Sequence, residues 1–246
     1  MERGSEQMST QWAASALQWW ADAGVDVLVD EEPRDWLKPK AKPAPSPSAP
    51  ATEAAPASQG EALPGQLDLF QGWLRTSQTM PFASPSAPRV CPAGDPAAGL
   101  MIMTDMPAAE DCGTGTLLSG ETGRLFDRML AAIGRDRDTI YLAALSCLRS
   151  PDGRLTGGAQ TQCATLARHH IGLATPRALL LFGDACSKAL TGLPMTQARG
   201  RWHEIATHAG PVKALVSISP QQLLKRPQDK AHAWADLQML MEGLDR

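Results

Sequence analysis

The chain has 246 residues, 43% of them hydrophobic and 20% charged, with a formal net charge of -3. That length can bury a sizeable core in one medium domain with appendages, and the charge excludes a uniformly basic nucleic-acid coat. The charge is uneven, however: residues 100–246 carry 16 Lys/Arg against 14 Asp/Glu, leaving 7 against 12 for residues 1–99, so only the C-terminal part could present a phosphate-binding face. Cys91, Cys112, Cys147, Cys163 and Cys186 are scattered without a C-x-x-C pair, a pattern of reduced intracellular thiols rather than a disulfide framework. No apolar run reaches the roughly 18 residues a membrane span needs, so a soluble cytoplasmic protein is expected.

Residues 1–37 read as a helical arm, with Trp12, Ala16, Trp19 and Trp20 at helical spacing and Gly24 as a stop. Its tryptophans either pack on the main domain or offer an apolar face to a partner. Residues 38–62 are rich in Pro, Ala and Ser and lack large apolar side chains, so nothing offsets the entropy of ordering them. They read as a disordered linker.

The main domain is expected at 63–246. Its first piece, 63–76, places Leu67, Phe70, Trp73 and Leu74 at helical spacing, which suits a short docking helix. The same piece contains Gln66-Leu67-Asp68-Leu69-Phe70, which resembles the short peptide by which bacterial repair and replication proteins bind the DNA-polymerase sliding clamp. In that mode the Gln is a polar anchor and the Leu-Phe end fills an apolar pocket. Both readings stand.

Four later apolar runs, at 100–103, 139–145, 177–182 and 212–218, read as buried strands. Helical patterns near 121–134, 158–174, 184–191 and 228–243 separate and follow them. Strands alternating with helices predict a three-layer α/β/α sandwich around a central four-stranded parallel sheet. In such folds, loops at the carboxyl ends of the strands frame the functional crevice, which singles out the stretch after the first strand, from Thr104 onward.

That stretch, TDMPAAEDCGTGTLLSGETGRLFDRMLAAIG, resembles the first motif region of bacterial family-four uracil-DNA glycosylases, whose pattern runs G-E-A-P-G, P-F-V-G and G-x-L-L-D-x-M-L. IYLAALSCLRSPDGR is similar to the family's strand and loop ending R-P-P-G-N-R, ARGRWHE to its R-G-x-W segment, and SISPQQLLKRPQDKAHAWADLQ to its H-P-x-x-L-L-R segment and final helix. The motifs keep the family's order over roughly residues 90–244.

The resemblance implies an enzyme that flips a damaged base out of DNA and hydrolyses its glycosidic bond. It also assigns roles position by position. The water-activating acid of G-E-A-P-G falls on Asp105, preceded by Thr104 and followed by Pro107, with glycines of the motif replaced. The base-stacking aromatic falls on Leu118, which keeps apolar contact but has no π face. The uracil-reading asparagine falls on Ala144, which has no donor or acceptor. The histidine before proline falls on Ser219, which can donate a hydrogen bond but carries no charge near neutrality. Arg199 and Arg201 are loop arginines able to meet phosphate or simply to be solvated. Pro220, Lys225 and Arg226 belong to a segment that in the family presses into the minor groove, and which otherwise starts a helix.

The family's iron–sulfur cluster needs four cysteine thiolates. Only Cys163 falls on a ligand position, and Cys147 is one residue off another, so no cofactor is expected. His169 and His170 sit near Cys163 without a second ligand pair and read as surface or capping residues rather than metal ligands. Two functions are therefore expected. One is a DNA-binding repair protein that hydrolyses the N-glycosidic bond of a flipped damaged base with an eroded catalytic set. The other is a non-catalytic DNA or partner adaptor, tethered to the sliding clamp through Gln66–Phe70.

Overall fold

Four runs of side chains buried on both faces dictate the centre of the molecule. Leu100–Thr104 (β2), Tyr141–Ala144 (β3) and Ala178–Phe182 (β4) are buried at every position, and Gly210–Ser217 (β6) is buried from Ala214 onward. Strands of this kind fit only a sheet covered by helices above and below. A computed structural model describes residues 63–244. The arm at 1–37 and the linker at 38–62 lie outside the described residues.

The four strands pair in parallel in the order β3-β2-β4-β6, with Thr104 beside Ala144 and Phe182 beside Ser217. The expected parallel sheet is therefore present, and it is extended at both edges. Ala93–Gly94 (β1) adds antiparallel to β3, and Trp202–Thr207 (β5) adds antiparallel to β6 through a tight hairpin at Gly210. The result is a mixed, mostly parallel six-stranded sheet flanked by helices.

The helices are Leu67–Thr76 (α1), Ala109–Thr114 (α2), Gly120–Ala132 (α3), Gly157–Ala174 (α4), Asp184–Thr191 (α5), Met195–Ala198 (α6), Pro220–Lys225 (α7) and Lys230–Leu244 (α8). One face of the sheet packs Met101, Met103 and Leu181 with Ile171 of α4 and Leu190 of α5. The other packs Ile102, Leu180 and Leu215 with Phe126 of α3 and Leu237 of α8. A third cluster joins Phe70 and Leu74 of α1 to Met80, Cys147 and Leu148. None of the described helices is long and apolar enough to cross a membrane.

Candidate active site

The carboxyl ends of β2, β4 and β6 open onto a cleft of about 580 Å³. Thr104 and Asp105 at the end of β2, Leu118 before α3, Ala185 in α5 and Ser219 after β6 all line it. Arg149, Arg154, Lys188 and Lys225 supply its cationic groups.

Asp105 is the most constrained group in the cleft. Its Oδ1 accepts the backbone N–H of Cys186 at 2.6 Å, and the N–H of Ala185 also points to the carboxylate. Both donors belong to the first turn of α5, where unpaired N–H groups favour negative charge. Gly183, just before that turn, has φ +97°, and a Cβ there would lie 2.4 Å from Asp105 Oδ2. Only glycine lets the β4–α5 turn approach so closely. Burial pushes the Asp105 carboxyl above the usual carboxylate range, and the N–H groups of Cys186 and Ala185 pull against that rise. A carboxyl raised by desolvation and oriented by fixed donors, at the floor of a cleft, is suited to acid–base work.

Leu118 is 5% exposed, with its backbone in the left-handed region at φ +52°. Buried Asp111 of α2 accepts the N–H of Ser119 at 2.7 Å, its hydroxyl at 2.6 Å and the N–H of Ala108 at 3.0 Å, so the two loops around Leu118 are tied together. Ser219 caps α7, its Oγ accepting the N–H of Gln222 at 3.2 Å. A hydroxyl used in this way can still donate its own proton toward the cleft.

Other expected site residues are placed elsewhere. Pro107 is buried, and its carbonyl accepts Arg149 Nη1 at 3.0 Å, bracing the cleft's wall. Ala144 is 6% exposed and lines a different, much smaller hollow beneath α1. Arg199 is spent on buried Asp236, with Nε to Oδ2 at 2.9 Å, and Ser217 donates to the same oxygen at 2.7 Å. That pair ties α8 to the end of β6 and removes Arg199 from the exposed cations. Arg201 is exposed and donates to the Gln197 carbonyl at 3.1 Å. Pro220 is buried as the first residue of α7, with Leu223 also turned inward, so this segment is a helix start here. Of its two cations, Lys225 lines the cleft, whereas Arg226 faces Asp229 at 3.4 Å.

The peptide Gln66–Phe70 runs into α1. Gln66, Asp68 and Leu69 are exposed, but Phe70 is fully buried, stacked on Trp73 at 5.6 Å and meeting His169 and His170 at 5.1 and 5.2 Å. In this conformation the aromatic end of the peptide belongs to the domain core.

The residues do not fit an iron–sulfur cluster. The chain has five cysteines, all free, and of these only Cys147 and Cys163 meet at the hollow beneath α1, among Phe70, Leu74 and Met80. Burial raises their thiols to about 12 and about 11, which opposes the thiolate form a cluster requires.

Arg149, Arg154 and Lys188 were not singled out from the sequence. The first two lie in the LRSPDGR segment already likened to a family loop, and Lys188 stands four residues after Asp184, with which it pairs at 2.6 Å. A strand followed by Gly183 and a helix start was the available signal for the turn that holds Asp105.

The description "Uracil DNA glycosylase superfamily" matches residues 91–238. The chain is also similar to a type-4 uracil-DNA glycosylase of Pyrobaculum aerophilum, at 24% identity over 161 residues, which cover 62% of this chain and 82% of the relative. The matched residues span β2 to β6 and most of α8, every element that frames the cleft, and the chain belongs to the uracil DNA glycosylase superfamily.

Proposed function

We propose that the chain is a DNA-repair protein whose cleft takes a base flipped out of DNA and hydrolyses its N-glycosidic bond, with Asp105 activating the attacking water. The observation that carries this reading is Asp105 itself: a largely buried carboxylate, held by the α5 N–H groups on the floor of an open cleft whose lining also carries Arg149, Arg154 and Lys225. Family membership supports DNA as the substrate, and the relative's name supports the reaction class. Leu118 gives the base an apolar wall. Ser219 can donate one hydrogen bond to the leaving base. With no ionisable group at position 219, that assistance is weaker than a protonated imidazole would give. Lys225 and Arg154 are the cations best placed for phosphate.

The test is single-turnover incubation with duplex and single-stranded oligonucleotides carrying uracil, hypoxanthine or xanthine. Excision of one of these bases is expected, and Asp105→Asn is expected to slow it by about 10²- to 10⁴-fold. Excision unchanged in that variant removes the role given to Asp105.

A second reading, a non-catalytic adaptor tethered to the sliding clamp, draws on the exposure of Gln66, Asp68 and Leu69 at the start of α1. It requires Phe70 to leave its core packing. No excision of any base, together with clamp retention that is lost in Gln66→Ala/Leu69→Ala, is the outcome that favours it.

A further inference from the structure

We infer that Arg137 is a positioning residue for the cleft: it holds Leu118 in a left-handed backbone conformation and thereby fixes the apolar wall against which a flipped base rests. The inference deepens the base-excision reading and rests on it. Leu118 has φ +52°, a conformation that costs a side-chain-bearing residue energy and persists only where the surroundings over-determine it. Arg137 supplies those surroundings from the side away from the cleft. Its Nη1 donates to the Leu117 carbonyl at 2.9 Å and its Nη2 to the Leu118 carbonyl at 2.6 Å. Two consecutive carbonyls are thus turned toward one guanidinium, and Leu118, packed in the core cluster that holds Phe126, is left at the cleft's lining.

The guanidinium is itself held in place. Its Nε donates to Asp127 Oδ1 at 2.7 Å, and its carbon lies 5.2 Å from the centre of the Phe126 ring, so α3 fixes it by charge and by its aromatic face. Gly123 makes the approach possible. A Cβ there would stand 2.2 Å from the Leu118 carbonyl oxygen and 3.2 Å from Arg137 Nη2. From the other side Asp111 holds Ser119, the next residue, by its N–H and its hydroxyl. The wall of the cleft is therefore braced on both flanks, by an arginine 19 residues downstream and an aspartate 7 residues upstream of Leu118. A planar fork is needed, because three donors must point in fixed directions. A lysine ammonium keeps the charge and cannot reproduce them.

Hydrogen exchange and single-turnover excision, each measured on the full chain, test the inference. Arg137→Lys is expected to speed exchange of the amides at 117–120 by about tenfold or more, leaving β2 and β4 as slow as in the parent protein. It is also expected to slow excision by about tenfold or more, since small misplacements at a reacting centre are costly. In a Leu118→Gly background, where the left-handed backbone is unstrained and the wall is gone, the same change should slow excision less than about twofold. Unchanged exchange at 117–120 overturns the inference. So does an equal loss of excision in both backgrounds, because Arg137 would then act through general stability. If the parent protein excises nothing while exchange at 117–120 still accelerates, the positioning role stands and the base-excision reading falls.

Discussion

The hollow beneath α1 and the cleft at the ends of β2, β4 and β6 set two ways of treating polar groups side by side, the one holding Cys147, Cys163 and His170 and the other Asp105. The first holds about 20 Å³, room for roughly one water. Aromatic and aliphatic side chains from α1 fill it, and its thiols and imidazole are held neutral by burial. The second stays open at about 580 Å³ and keeps a carboxylate on its floor. In the hollow, apolar packing surrounds the thiols. In the cleft, a network of hydrogen bonds holds Asp105, Leu118 and Ser119 where packing alone would not. Both sites lie at the carboxyl ends of the parallel strands, so one end of the sheet carries an apolar packed hollow beside a hydrogen-bonded polar cleft.

The largest effect that sharpens this contrast is on the hollow side. Phe70→Ala empties a fully buried ring site and is expected to cost about 3–5 kcal/mol in equilibrium denaturation. A cost under about 1 kcal/mol would mean that α1 is not part of the core.

Acid should act on the same region through His170. Burial, with a smaller contribution from the nearby His169, lowers His170 to about 3, against 6.5 for a free imidazole. The unfolded chain then binds a proton below pH 6.5 that the folded one refuses. Stability from this group is complete above about 6.5 and is lost as the pH falls toward 3. Denaturant melts between pH 7.5 and pH 4 should therefore fall more steeply for the parent chain than for His170→Gln, which keeps an acceptor for the Tyr141 hydroxyl now 2.7 Å from Nε2. Parallel pH dependence in the two proteins would show that His170 takes up its proton in the folded state.

The contrast also explains what could be read from sequence. The four parallel strands were legible because burial on both faces leaves an unbroken apolar run, as in LMIMT and ALLLF. The edge strands were not. In β5, WHEIAT, only Ile205 is buried, and β1 has two residues, both exposed. The resemblance pointed to Asp105, Leu118 and Ser219, and all three meet in the cleft. Ala144 keeps its place at the end of β3, where it packs in the core cluster of Ile102, Leu118 and Phe126 and borders the hollow rather than the cleft. Arg137 escaped because it acts on backbone carbonyls 19 and 20 residues away, and Asp111 because it ties two loop segments together; neither kind of bond leaves a periodicity. Arg199 looked like a loop cation, since nothing in ARGRWHE announces a partner at Asp236.

On the cleft side, the pH dependence of Asp105 runs opposite to that of His170. Burial raises its carboxyl above 3.8, so the folded chain holds a proton that the unfolded chain has released. The stability tied to this group is present below the ordinary value and is lost as the pH rises through the raised one. Asp105→Asn should remove that loss, and the mutant's stability relative to the parent should climb across this window. As a general base, Asp105 works only when ionised. Excision should therefore rise with pH, with a midpoint above that of an ordinary aspartate. A flat pH–rate profile would assign water activation to another group.

The smallest effects concern the rim, where they separate cations that face the cleft from cations already engaged. Lys225→Ala should weaken DNA binding about equally for every sequence, and should reduce the slope of log affinity against log salt by about 0.9. Arg201→Ala, which removes an exposed side chain bonded to the Gln197 carbonyl of the preceding helix, should leave the slope unchanged and the stability within about 0.5 kcal/mol of the parent. Equal slope changes for the two would extend the DNA path past the cleft toward β5. No change for either would move the phosphate contacts to Arg149 and Arg154, the other arginines of the cleft's lining. That result would leave the cleft as the base-binding site and turn the duplex around it.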